Sequence, residues 1–214
     1  MRKDINDYRL YVFDLDGTLY DQPKMRLIMA MRLALYYALH PFSAGDLILL
    51  QHFRKVKDSR TADSSDEDVI AAVAKEKNAD PERVRRIIKK WIYDNPLSAL
   101  DKVKDTALIA WMEDLKKSGK KVVIFSDYPS KDKLEAMSVA VDGMYDPEDP
   151  RIDEQKPSPK GLQVIMEDTG IAAKDILMIG DRMEKDGASA ASCGIDHLIL
   201  PRNVGRRKHY EKRS

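Results

Sequence analysis

Short apolar runs and longer amphipathic stretches alternate along most of this chain, but not near its start. Arg9–Phe13 is a compact apolar run that stops at Asp14. It predicts a short buried strand followed by the loop Asp14-Leu15-Asp16-Gly17-Thr18. From about residue 22 to residue 93 no strand pattern occurs and helical spacing dominates. Ser64 or Ser65 is placed to cap a helix containing Val69, Ile70 and Val73, and Asp80-Pro81-Glu82 reads as an N-cap with proline at the first helical position. From Pro81 onward Val84, Ile87, Ile88, Trp91 and Ile92 fall on one stripe, and Asn95-Pro96 is expected to break that helix. Met25 to Leu39 is apolar nearly all round, which predicts a buried helix. Tyr20, Met25, Arg26 or Met29 are the alternatives for contact with a substrate.

After residue 100 helix and strand patterns alternate. Leu108, Trp111, Met112 and Leu115 form one helical face, and Ser118-Gly119 stops it. Val122–Phe125 reads as a strand, residues 129–138 as a helix, and Ser158-Pro159 as the start of a helix with Leu162, Ile165 and Met166 inward. Ile176–Ile179 is a buried strand, Glu184 to Cys193 a small-residue helix ended by Gly194, and His197–Leu200 a last strand. Short apolar strands separated by helices predict an α/β fold, a Rossmann-like parallel sheet with helices on both faces. The core is expected over residues 1–20 and 101–200, an all-helical insertion over 21–100, and a solvated basic tail over 201–214.

Composition narrows the function. Among 214 residues, 37 Lys+Arg face 36 Asp+Glu, a net charge of +1, which argues against a protein that coats nucleic acid or an acidic membrane. The single cysteine, Cys193, forms no internal disulfide, so a reducing, cytoplasmic setting is expected. No secretory leader pattern is visible at the start, and the most apolar stretch, residues 25–42, carries Arg26 and Arg32 and is too short and charged to span a bilayer. Arg83, Arg85, Arg86, Lys89 and Lys90 lie off an apolar stripe and read as a solvated face.

The candidate chemistry sits just after the strands. Asp14 and Asp16 follow the first strand, Ser126-Asp127 follow the Val122–Phe125 strand, Lys156 precedes Pro157, and Asp181 and Asp186 follow the Ile176–Ile179 strand. The carboxyl-terminal edge of an open parallel sheet is where ligands bind. Four carboxylates converging there repel one another unless a cation intervenes, and all-oxygen ligands favour Mg²⁺. A carboxylate can attack phosphorus, a second one can move the proton of the leaving oxygen, and Ser126 and Lys156 can hold phosphoryl charge.

Val12-Phe-Asp-Leu-Asp-Gly-Thr-Leu19, Val123-Ile-Phe-Ser-Asp127, Lys156-Pro157 and Gly180-Asp-Arg-Met-Glu-Lys-Asp186 resemble the four ordered motifs of the haloacid dehalogenase superfamily. The resemblance is to its members with an α-helical cap, the phosphoglycolate phosphatase and β-phosphoglucomutase-like group. The resemblance implies Asp14 as nucleophile and metal ligand, and Asp16 as general acid/base lending its backbone carbonyl to Mg²⁺. It implies Ser126, Asp127 (through its backbone N–H), Thr18 and Lys156 around the phosphoryl group, and Asp181 and Asp186 on the metal. The helical insertion occupies the position of the family's cap. The expected activity is Mg²⁺-dependent hydrolysis of a small phosphorylated metabolite through an aspartyl-phosphate. A phosphosugar mutase and a catalytically quiet binding protein are the alternatives. Asp16 argues against dehalogenation, since a halide leaves without a proton. Many relatives carry Asn where this chain has Asp127, and the acidic, proline-rich run Asp146–Pro150 has no counterpart in the motif reading. Tyr20 faintly resembles pyrimidine-nucleotidase-like members. Oligomeric state is not readable from the sequence.

Overall fold

The computed structural model describes residues 4–43, 45–59 and 65–207. In chain order it contains β1 (Leu10–Phe13), α1 (Gln22–Leu39), α2 (Gly45–Ser59), α3 (Asp66–Glu76), α4 (Pro81–Ile88), a π turn (Lys89–Asp94), α5 (Asn95–Val103) and α6 (Thr106–Lys117). Then come β2 (Lys121–Phe125), α7 (Lys131–Met137), β3 (Gly143–Tyr145), α8 (Lys160–Thr169), β4 (Ile176–Gly180), a second π turn (Met183–Gly187), α9 (Ala188–Ser192) and β5 (Asp196–Ile199). The five strands form one parallel sheet in the order β3-β2-β1-β4-β5. The strand order reverses at β1, whose neighbours β2 and β4 lie on opposite sides of it.

Side chains alternate across the central strand. Leu10 and Val12 point into one apolar layer with Phe125, Leu162, Ile165 and Ala190, which belongs to α8 and α9. Tyr11 and Phe13 point the other way, each edge-on to Trp111 of α6 at 5.7 and 5.8 Å between ring centroids. Both faces of the sheet are therefore covered by helices, which is why its strands read as continuous apolar runs.

The chain divides into two compact units. One runs up to Lys24 and resumes at Leu100; the other is Met25–Ala99 and is wholly helical. In the first, the outgoing and returning segments pair: Tyr20 bridges Lys104, Asp21 N–H donates to Val103 O at 2.8 Å and Asp105 N–H to Leu19 O at 2.8 Å. An insertion can thus leave and re-enter the sheet unit at neighbouring points without disturbing it. In the helical unit, Ser65 and Asp68 form a capping box at the start of α3, and Asp80 caps α4 ahead of Pro81. Ser64 lies outside the described residues. Arg83 pairs Asp46 and Arg85 pairs Glu67 and Glu82 on the exposed side of α4, a solvated face as expected.

Several expectations are corrected. The helix does not break at Asn95-Pro96. It widens into the Lys89–Asp94 π turn and continues as α5, with Asn95 N–H reaching Lys90 O five residues back. A proline crowds the carbonyl four residues before it, and a wider turn relieves that contact. Helix α1 is not buried all round. Met25, Met29 and Tyr37 are buried, whereas Leu27, Met31, Leu35 and Leu39, each one turn apart, are exposed. The sequence pattern also missed β3, a three-residue edge strand too short to show a period. Its exit explains the acidic run. Asp146 is 4 % exposed and accepts from Ser130 N–H, Ser130 Oγ and Glu148 N–H, while Arg151 bridges Asp149 and Asp168. Among the described residues no helix is long and apolar enough to cross a membrane.

Candidate active site

Parallel strands ending at one edge bring residues distant in sequence together. Phe13 is in register with Ile124 of β2 and Ile179 of β4, so Asp14, Ser126 and Asp181 all emerge within two residues of the same level. Asp14 N–H donates to Ile179 O at 2.8 Å, which fixes the loop to β4. The Asp14 carboxylate is buried. It accepts from Thr18 Oγ1 at 2.8 Å and from Lys156 Nζ at 2.5 Å. Thr18 is thus committed to Asp14, and any reach toward a phosphoryl group runs through that carboxylate.

Lys156 is the hub. The residue is 3 % exposed, and its ammonium group also lies 2.7 Å from Asp186 Oδ1 and donates to Phe125 O at 3.1 Å. Burial works against the charged lysine, but Asp14, Asp186 and Asp127 outweigh it and hold its pKa above the ordinary value. Burial pushes Asp14 the other way, up to about 7, with Lys156 opposing and the Asp186 and Asp181 anions adding to the rise.

Asp14, Asp181 and Asp186 each offer a carboxylate oxygen, all within 4.8 Å of one another and all buried. Asp186 Oδ2 is occupied by the N–H groups of Asp181 and Arg182, at 3.2 and 3.0 Å. Asp181 Oδ2 accepts from Arg202 Nε at 2.6 Å, whereas the buried Asp181 Oδ1 has no hydrogen-bond partner. Asp181 is raised by burial against the opposing Arg202. Three buried acids face two cations, Lys156 and Arg202; Asp181 Oδ1 is orphaned, and Asp186 Oδ1 has the Lys156 ion pair but no hydrogen bond. A divalent ion bound by hard oxygens fits this set, since it would supply the missing charge and the missing partner. Two glycines make the cluster possible. A Cβ at Gly180 would lie 2.3 Å from the Asp186 carboxyl, and one at Gly17, where φ is +92°, would lie 2.7 Å from Asp181 Oδ2.

Three carboxylates converge rather than the expected four: the Asp16 side chain stands apart from the Asp14, Asp181 and Asp186 cluster. Its carboxylate accepts from Tyr20 Oη at 2.7 Å and is gripped by Lys133 Nζ of α7 at 2.6 and 2.7 Å. Ser126 is buried, and its Oγ accepts from Tyr128 N–H at 3.1 Å, which leaves its own proton to donate. The Asp127 carboxylate accepts from Lys156 N–H at 2.9 Å and Lys185 Nζ at 2.8 Å. An amide at this position would lack the ion pair to Lys185. Burial opposes the Asp127 anion, but Lys156 and Lys185 prevail and lower its pKa.

A family model for haloacid dehalogenase-like hydrolases matches residues 8–194, which hold every one of these motifs. The chain belongs to the haloacid dehalogenase-like hydrolases. Solved structures of this fold agree. YfnB of Bacillus subtilis, a HAD-hydrolase bound to magnesium, aligns with a TM-score of 0.59 at 18% identity over 90% of this chain and 88% of that one. A HAD phosphatase from Thermococcus onnurineus gives 0.60 at 20% identity over 95% and 90%, and a 2-haloacid dehalogenase from Pseudomonas syringae gives 0.65 at 15% over 97% and 91%. No curated protein sequence matches the chain. These neighbours include both phosphatases and dehalogenases.

Sequence reasoning missed four cations around the acids: Lys133, Lys185, Arg202 and Arg207. The first two fall within the stretches predicted as helices over residues 129–138 and 184–193, with no local signal that sets them apart. The last two lie in the stretch expected to be a solvated tail, and that expectation is corrected for residues 201–207. The Arg207 side chain is 3 % exposed and donates to Gly17 O at 2.7 Å, Thr18 O at 2.6 Å and Asp105 Oδ2 at 2.9 Å. A guanidinium finds there three acceptors that bulk water would otherwise have to satisfy. Residues 208–214 lie outside the described residues.

Proposed function

We propose that this hydrolase is a Mg²⁺-dependent phosphatase acting on a small organic phosphomonoester, with Met25–Ala99 as its cap unit. The observation that carries the reading is Asp16. It is a second carboxylate two residues from Asp14, oriented by Tyr20 and Lys133 and separate from the Asp14, Asp181 and Asp186 cluster. An alkoxide leaving from phosphorus needs a proton, and a halide leaving from carbon does not.

In this reading an Asp14 oxygen attacks phosphorus, the phosphorus–oxygen ester bond breaks, and Asp16 gives its proton to the leaving alcohol. Water then attacks the aspartyl-phosphate, Asp16 takes the water's proton, and inorganic phosphate leaves with Asp14 restored. Lys156 neutralises Asp14 and meets the phosphoryl charge. Ser126 Oγ and the Asp127 N–H group are placed to donate to phosphoryl oxygens. Asp127 is a positioning residue, because its carboxylate holds the Lys156 backbone and Lys185. Asp14, Asp181 and Asp186, with the Asp16 carbonyl, would hold the metal, which when bound neutralises phosphoryl charge and orients the group for in-line attack. A cytoplasmic setting accompanies the proposal, supported by the lone Cys193, whose thiol is raised by burial.

Phosphate release with Mg²⁺ should be measured across sugar phosphates, nucleotides and phosphoglycolate. Asp14→Asn and Asp16→Asn are each expected to lose about a thousandfold or more in kcat, on the scale of removing a covalent nucleophile or its acid partner. Full activity in Asp14→Asn, or halide release from a 2-haloacid that survives Asp16→Asn, would overturn the reading. Isomer interconversion without net phosphate release would make the enzyme a mutase instead.

A further inference from the structure

The geometry points to a second anion subsite beside the metal cluster, formed by Arg202 and Arg206, which selects phosphomonoesters that carry another anionic group close to the phosphate. This rests on the phosphatase reading and narrows it to a substrate class.

An open cavity of about 550 Å³ is lined by Asp181, Arg202, Asn203 and Arg206, with Leu200 and Pro201 as part of its apolar wall. Asp181 belongs both to this wall and to the three-acid cluster, so the cavity adjoins the place where a phosphoryl group would be transferred. Arg202 donates only Nε to Asp181 Oδ2, and its side chain is 41 % exposed, so the terminal nitrogens of its fork remain open to the cavity. Arg206 is exposed and pairs with no acid among the described residues. The lining thus holds two guanidinium groups against one carboxylate. That carboxylate is the one whose other oxygen is offered to a cation, so occupation of the cluster makes the cavity more positive still.

Unpaired surface arginines are common, and most are merely solvated. These two differ because the segment carrying them is pinned. The buried Arg207 ties it to the Gly17 and Thr18 carbonyls of the nucleophile loop and to Asp105, and also donates to Pro201 O at 2.7 Å within the same segment. Val204 N–H donates to the buried Asp21 Oδ2 at 3.2 Å. Arg206 N–H closes a turn on Asn203 O at 3.0 Å. Both guanidinium groups are therefore carried by backbone that is fixed relative to Asp14 before substrate arrives, which lowers the ordering cost of binding. A planar fork matches a carboxylate or a phosphate equally well. The second group must lie near the first, since one residue, Asp181, separates the two sites.

The test uses three probes built on a two-carbon arm: phosphoglycolate, ethane-1,2-diol bisphosphate and ethyl phosphate. In the full-length Mg²⁺-loaded enzyme, kcat/KM for at least one of the two probes with an anionic tail should exceed that for ethyl phosphate by about tenfold or more, the scale of a charge-assisted hydrogen-bond pair. Whichever of the two is preferred identifies the second group as carboxylate or phosphate. Arg206→Gln should collapse that preference about tenfold through KM, and Arg202→Gln should do the same. Equal kcat/KM for all three probes, or a preference that survives Arg206→Gln, would overturn the subsite. If no probe releases phosphate, the phosphatase reading fails instead. Calorimetric titration of the same probes into Asp14→Asn then still decides the subsite. Tighter binding of phosphoglycolate or the bisphosphate than of ethyl phosphate, lost in the Arg206→Gln double variant, sustains it, and equal binding removes it.

Discussion

At the scale of single residues, the site depends as much on absent atoms as on present ones. Gly180 lets the Asp186 carboxyl approach the end of β4 more closely than any side chain at position 180 would allow. Gly180→Ala should therefore push Asp186 away from Lys156 and the other acids while β4 itself survives. We expect Mg²⁺ affinity, followed by titration calorimetry, to fall about tenfold or more, the scale seen when groups that orient metal ligands are displaced. Unchanged affinity would mean that Asp186 takes no part in holding the ion. The acids were readable from the sequence because they follow apolar strands at fixed offsets. Their cationic partners were not. Lys133 reaches Asp16 across 117 residues and Arg202 reaches Asp181 across 21. Neither carries a local pattern that distinguishes it from a solvated cation.

At the scale of elements, the segment after β5 behaves as a strap rather than a tail. Arg207→Ala would leave Asp105, 2 % exposed, without its guanidinium, together with two loop carbonyls. Asp105 also caps α6 through Leu108 N–H, so the loss reaches a second element. Removing one partner of a buried ion pair costs about 3–5 kcal/mol. Urea denaturation of Arg207→Ala should show a loss on that scale, and a change of under about 1 kcal/mol would mean that the strap does not hold the loop. The π turn at Lys89–Asp94 teaches a related lesson. Proline stops a helix by crowding the preceding turn, and an extra residue in that turn removes the crowding. The sequence signal for a break and the signal for a bulge are therefore the same two letters, Asn95-Pro96.

At the scale of the whole molecule, near-neutral charge hides strong local imbalance. Burial raises Asp14 to about 7 and also raises Asp181 in the metal-free protein. A raised folded-state pKa gives stability that is complete below the ordinary carboxylate value and is lost as pH climbs through the raised one. Asp127, Asp149 and Asp168 are lowered, and their contribution fades only as pH falls below the ordinary carboxylate range. Between about pH 4 and 7 the raised pair therefore dominates. The metal-free protein should lose thermal stability as pH rises through that window. A divalent ion replaces the proton, so the Tm gain from Mg²⁺ should be larger at pH 8 than at pH 5. Equal gains at both values would contradict the ionisation of Asp14 on metal binding.

The sequence by itself determined the α/β class, the four motifs and the helical insertion, because periodicity and short-range spacing are local properties. It also pointed to Asp14, Asp181 and Asp186 at one edge, because residues that follow parallel strands share that edge, but it counted Asp16 among them, and the Asp16 side chain is held by Tyr20 and Lys133 instead. Only the tertiary structure decided how the acids are neutralised, that Asp181 Oδ1 is left without a partner, and that residues 201–207 close back on the loop after β1. Those outcomes depend on cations brought in from distant segments, and on burial that raises the energy of any charge left unpaired. Neither leaves a mark in the local order of residues.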